Sequence, residues 1–460
     1  MTARPVLRRV LTSTRVVAGA VAAVAAVGAV VVGIALPWPG TSVDAVRITA
    51  TAPPADTELA CSGALLALGR TVERAGSLSV AAAEAVVSGA PGASIEQGAL
   101  AGPTDESPAV FTATPDASGS ATAAAAGSAS VEAADLRGFA ASACRPALAE
   151  SWLVGGATST GANDLLVLSN PGSVPATVDV TVYGASGPES APGGSNRVVP
   201  AGTQVVVPLA GLLPAEQSPV VRVTTSGAPV SASLQSSLVR VLTPVGIDRV
   251  SALAAPAQSL QIPGVTAAGL GDGQGAGTIV RMLAPTSDTQ ARVTVRDGAG
   301  QVVGTPATVP LTSGVPTELE LTGLAAGTYT VAVDADAPVV AGVWSTTGFD
   351  DGADFAWYAA APALERPTSF AAASGPGARL VVSGVEGSAT VTLTAPDGTS
   401  RQVEASAGGA TAVELAQTGV YTLEPSSAVT AAVVYAGTGA LAGYPVWGPD
   451  AAAPPITVVP

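Results

Sequence analysis

Three aspartates in one short loop, Gly348-Phe-Asp-Asp-Gly-Ala-Asp-Phe355, form the densest group of chemistry-bearing side chains. Asp350, Asp351 and Asp354 stand at i, i+1 and i+4. A hard cation that takes roughly six to eight oxygen ligands could use that spacing, so the loop is a possible calcium site; a solvated acidic turn is the plainer alternative. Asp334 and Asp336 sit two apart at a strand end and form a weaker oxygen pair. Aromatic residues make up only 3% of the chain, so their clustering is informative. Trp344, Trp357 and Tyr358 gather around the same loop, and Trp447 follows at a matching position. Exposed, they would form a platform for sugar rings; buried, they would lock neighbouring modules together.

What is missing excludes more chemistry than these groups include. The chain has no His, and all 19 of its basic residues are Arg. Ser-His-Asp and Cys-His nucleophiles are therefore impossible, as are His-ligated zinc, a P-loop lysine, a Schiff base and a Ser-Lys dyad. Carboxylates remain, but Glu216, Glu318, Glu320 and Glu414 share no motif. Glu318 and Glu320 alternate with Leu319 and Leu321, as on the outward face of a strand. A carboxylate hydrolase is thus a distant third reading. The net charge of −15 argues against nucleic acid or anionic lipid as a partner recognised by charge.

The elements that would position these residues begin with Val16 to Leu36, which lacks any charge and follows Arg4, Arg8, Arg9 and Arg15. A helix of that length spans roughly 30 Å. It reads as a single-pass anchor with residues 1–15 in the cytoplasm and the bulk outside; secretion after signal cleavage is the alternative. Trp38 stands where an interfacial aromatic would, and 37–60 reads as a linker. Cys61 and Cys144 are the only cysteines, and in an exported chain they are expected to form a disulfide, with Trp152 in the core beside it. The region 61–152 that they bound is the least legible. Thr71 to Val87 has a helical look, and Ala113 to Ser130 is Ala/Ser/Gly-rich and reads as a flexible loop.

Beyond it the chain repeats. Ala176-Thr-Val-Asp-Val-Thr-Val-Tyr-Gly184 has counterparts at Ala291 to Gly298 and Ala389 to Gly398, and a late element recurs at 228, 337 and 428. Spacings of about 100 residues are domains rather than solenoid turns. Val178, Val180 and Val182 alternate with Thr177, Asp179 and Thr181, which predicts half-buried strands. The fold class expected is mainly β: tandem antiparallel Ig-like β-sandwich modules over 153–256, 257–362 and 363–450, after one transmembrane helix and before a tail at 451–460. The seams repeat as well: Asp248 precedes Pro256, and Asp354 precedes Pro362, by the same interval, which suggests one repeated docking geometry.

Ser151-Trp-Leu-Val-Gly-Gly156, Leu165 to Gly172, Ala176 to Gly184 and the seam Asp354-Phe-Ala-Trp357 resemble an actinobacterial family of exported proteins catalogued as domain of unknown function 5719. The resemblance implies an envelope-associated protein and carries over no catalytic residue. The function expected is non-enzymatic: a membrane-anchored extracytoplasmic protein with a structural or protein-interaction role in the cell envelope and no cofactor beyond the possible calcium. The alternative is an array of modules binding wall polysaccharide.

Overall fold

The computed structural model describes residues 6–35, 48–50, 56–70, 76–114, 123–270, 277–448 and 456–458. They fall into two bodies, one of residues 1–52 with 453–460 and one of residues 53–452. In the first, a helix spans Val6–Ala35, and Ile48–Ala50 pairs antiparallel with Ile456–Val458. The helix starts within the expected cytoplasmic stretch and takes in Arg8, Arg9 and Arg15. Its window Arg15–Val32 has a mean hydropathy of 2.3 and is long and apolar enough to cross a membrane. Trp38 and most of the 37–60 linker lie outside the described residues, as does the 451–460 tail apart from its short strand.

The second body is mainly β, and all its named strand pairs are antiparallel. Its described residues fall into four β modules where the sequence suggested three, the first of them with an added two-stranded sheet of Leu65–Leu68 and Leu78–Ala82. In the module most legible in sequence, Glu150–Val154, Val220–Ser226 and Ala176–Gly184 form one sheet. Thr203–Pro208, Leu165–Asn170, Ser231–Arg240 and Thr243–Ser251 form the other. Val178, Val180 and Val182 point inward against Leu166, Leu168 and Leu234 of the facing sheet, as their alternation requires. In the next module one 20-residue strand, Gly327–Thr346, serves both sheets. Its first half pairs with Thr289–Arg296 and Ala257–Ala267, its second half with Thr278–Leu283 and Phe355–Ala359. The last module sets Thr368–Ala372, Gly419–Pro425, Ala389–Thr394 and Ser400–Ala405 against Thr411–Glu414, Arg379–Gly384, Val429–Gly437 and Ala440–Pro445.

The region before residue 150 is a module of the same kind. Thr57–Ala60, Ala109–Thr114 and Ser94–Ala99 form one sheet, and Ala85–Gly89, Ala124–Glu132 and Arg137–Ala143 the other. The expected helix over Thr71 to Val87 is therefore corrected to the strands Leu78–Ala82 and Ala85–Gly89, with 71–75 outside the described residues. Of the expected flexible loop over Ala113 to Ser130, residues 124–130 are corrected to part of the mostly buried strand Ala124–Glu132, while 115–122 lie outside the described residues. Alanine is a weak strand former by propensity, but tertiary packing overrides that preference where small side chains let neighbours approach closely. The disulfide Cys61–Cys144 ties the two ends of this module.

Each module ends in a hairpin whose second strand lies at the centre of the body. Those strands, Arg137–Ala143, Thr243–Ser251, Phe355–Ala359 and Ala440–Pro445, pack each beside the next, and the last packs beside the first. The modules therefore close into a ring. At the closing seam the Phe139 and Tyr435 rings lie 5.3 Å apart, the Ser128 hydroxyl donates to the Ser374 carbonyl, and the Arg145 guanidinium sits 3.3 Å over the Trp447 ring. Ala60 bridges Arg145, just beyond Arg137–Ala143, so Ala60 lies at the end of that strand opposite the hairpin turns, which crown the other end of the ring.

Candidate functional site

Charged side chains are scarce inside a β protein, and the buried ones here mark the ring's centre and seams. Asp354 is completely buried at the hub. Its Oδ2 accepts the backbone N–H of Phe139 at 3.0 Å and of Leu441 at 3.0 Å, and its Oδ1 accepts that of Ile247 at 3.2 Å. One carboxylate from the third module thus receives a donor from the central strand of each of the other three. Burial pushes the Asp354 carboxyl up to about 8, against the downward pull of these N–H groups.

Asp248 lies beside it, also completely buried. Its Oδ2 accepts the Trp357 N–H at 2.6 Å, while Oδ1 has no hydrogen-bond partner among the described residues. Burial, and then the like charge of Asp354, hold its carboxyl well above the usual range. Burial thus biases both carboxyls toward the protonated form; Asp354 accepts three N–H groups from other modules and Asp248 accepts one. Arg249 reaches away from them and donates to the carbonyls of Gly63 and Ala64 at 2.8 Å each, which locks the first module to the second.

The supposed calcium triad does not assemble. Asp354 faces the hub, Asp351 is surface-exposed and pairs with Arg137 at 3.2 Å, and Asp350 stays on the outer loop. No group of three potential metal ligands occurs among the described residues. Asp334 and Asp336 are both exposed, with Asp334 accepting the Ser259 hydroxyl. The aromatic platform does not assemble either. Trp357 and Tyr358 are 5% and 2% exposed and pack within the seams, and only Trp344 reaches the surface. Trp152 is buried, but in the core it shares with Tyr183, Val220 and the third module rather than beside the disulfide, a correction to the expectation, and the Arg222 guanidinium lies 5.2 Å over its ring. Of the carboxylates weighed as acids, Glu216 accepts the backbone N–H groups of Ala185, Gln217 and Ser218, and Glu318 pairs with Arg281 at 2.9 Å. Glu320 and Glu414 face solvent.

Sequence reasoning missed two surface features. A cleft of about 260 Å³ opens at the seam of the second and third modules, between Gln217, Ser236, Arg281, Glu318 and Trp344. The other is the turn between Ser231–Arg240 and Thr243–Ser251, at the crowned end of the ring. Val241 is 97% exposed and Leu242 86% exposed, and Val241 holds φ at +60°. A β-branched residue in the left-handed region is strained, and its only sequence signal is two apolar residues where a Gly or Asn would suit the turn. Arg240 beside them stacks over Phe349 of the acidic loop.

No curated protein matches the chain. Among solved structures there is a weak likeness to a chain described as a biofilm-associated protein BSP domain, at 11% identity and a TM-score of 0.13, covering 72% of this chain and 64% of that one. The chain thus spans less than two thirds of that structure, and a score so low says nothing about the fold. Residues 99–426 match a family model, running from inside the first module to inside the last. The chain belongs to the family of unknown function DUF5719.

Proposed function

We propose that the protein is a non-enzymatic, membrane-tethered scaffold of the cell envelope whose ring of modules docks a partner protein through its crowned end. The observation that carries this reading is the Val241–Leu242 turn. Two large apolar side chains stand almost wholly in water, on a backbone conformation that costs of order 1–3 kcal/mol. Strain and exposure together are retained where something else compensates, and a partner with an apolar pocket would supply that compensation. The rigid frame beneath supports the same role. Four modules locked at a shared hub hold the turn in a fixed place, which reduces the ordering cost of association. The helix Val6–Ala35 supports a tether on the outer face of the cytoplasmic membrane, with the folded bulk outside.

A photo-reactive amino acid placed at Leu242 tests the reading in living cells. One dominant protein adduct, absent when the probe sits at the exposed Val198 on another face, is the expected outcome. Adducts only with lipid or glycan, or the same proteins from both positions, would refute it.

A further inference from the structure

We propose that the cleft between the second and third modules is a binding site for an uncharged glycan, with a sugar ring stacked on Trp344. The aromatic face is presented rigidly. Trp344 lies between Phe349 and Phe355, at ring-centre distances of 6.2 and 6.1 Å, and opposite Trp357 in the strand register. Both rings line the cleft; Trp357 is buried while Trp344 is only half-buried, so Trp344 is the ring with surface left to offer. The cleft's one cation is already occupied. Arg281 donates to the carbonyls of Gly156, Pro219 and Gln217 and to Glu318, and its guanidinium lies 4.6 Å from the Trp357 ring centre. It therefore has little left to offer a phosphate or carboxylate, which disfavours anionic ligands. Beside the apolar Leu238, Ile279 and Phe355, the lining offers an indole with amide, hydroxyl and carboxylate groups, from Gln217, Ser218 and Glu318. An apolar face with several convergent donors and acceptors matches a pyranose, which has one apolar face and an equatorial rim of hydroxyls. The cavity admits a sugar-sized group rather than a folded partner, so the site is independent of the docking turn.

The test uses the full chain in detergent micelles, titrated with chitotetraose and with cellotetraose, and follows tryptophan fluorescence and heat. Saturable binding to at least one is expected. Trp344→Ala should weaken it about tenfold or more, corresponding to about 1.4 kcal/mol. Trp344→Phe should keep most of it. Ile279→Arg, which places a long side chain in the cleft beside Trp344, its cross-strand neighbour, should abolish binding while leaving the melting temperature near that of the parent. No saturation by either glycan up to about 10 mM, or binding unaffected by Ile279→Arg, would overturn the proposal. So would saturable binding of a neutral tripeptide in place of both glycans.

Discussion

Replacing Asp354 should damage three modules in which it does not itself reside. Its carboxylate accepts the N–H groups of Phe139, Ile247 and Leu441. In Asp354→Ala all three donors lose their acceptor in a dry site. An unsatisfied buried donor costs about 1–3 kcal/mol, and some of that is recovered if water enters the space left by the carboxylate, so the loss should be about 3–5 kcal/mol. Against a typical stability of roughly 5–15 kcal/mol that is a large fraction. Asp354→Asn keeps the volume and one oxygen. With that oxygen placed toward Phe139 and Leu441, its amide group opposes only Ile247, and the cost should be about 1–3 kcal/mol. Urea unfolding of both variants gives the order, and hydrogen exchange gives the location. Protection should fall at the amides of 139, 247 and 441, spread over more than 300 residues of sequence. An alanine cost below about 1 kcal/mol, an asparagine variant less stable than the alanine one, or exchange changes confined to the 347–359 loop would refute the hub.

Two further outcomes follow from the same interior. Asp354 at about 8, Asp164 at about 7 and Asp248 well above its usual range are all raised by burial. Unfolded, each returns to about 3.9. The folded state therefore binds more protons between pH 4 and 8, and stability should fall as pH rises through that window. The melting temperature should be higher at pH 5.5 than at pH 8.5. Asp248→Asn, whose oxygen can still accept from Trp357 and whose amide fills the position of the unpartnered Oδ1, should flatten the slope; a melting temperature that climbs with pH would contradict the assignment. The Cys61–Cys144 disulfide has a sequence separation of 83, and its loss should cost about 4 kcal/mol by loop entropy. Cys144→Ser should lower the melting temperature, and a reduced protein that melts like the oxidised one would count against that role.

The second to fourth modules were legible because their strands alternate strictly, as at Val178, Val180 and Val182, and because Asn-Pro-Gly and Asp-Gly turns separate them. The first was not, because Ala124 to Ser130 carries small residues with no apolar periodicity, buried on one side by the last module at Ala124 and Ala126 and on the other by their own module at Ala125 and Ala129. Ring closure was invisible for another reason: it joins Phe139 to Tyr435 and Arg145 to Trp447, pairs with no local signature. The seam aspartates were visible as a repeat, yet their role was misread. Grouping Asp354 with Asp350 and Asp351 by proximity ignored that a residue entering a strand turns inward while a preceding loop stays in water. The exposed Val241–Leu242 pair left a trace only as the absence of a turn-forming residue.

A carboxylate at the hub, where four modules could have met through apolar side chains, makes closure conditional. The strand ends approach so tightly that a Cβ at Gly138 would lie 2.4 Å from Asp354 Oδ1, and one at Gly246 would lie 2.8 Å from it. Bulky hydrocarbon has no room there, and each approaching strand brings an N–H that must find an acceptor. One small carboxyl group answers three such donors, but only when all three strands are in place. With any module absent or out of register, the same carboxyl group is left in a dry site with fewer partners, which is costly. The hub therefore stabilises the complete ring and penalises partial ones. That cooperativity separates this body from a string of independent repeats, in which each module contacts only its chain neighbours. It also gives the ring the fixed geometry on which a docking turn and a seam cleft both depend.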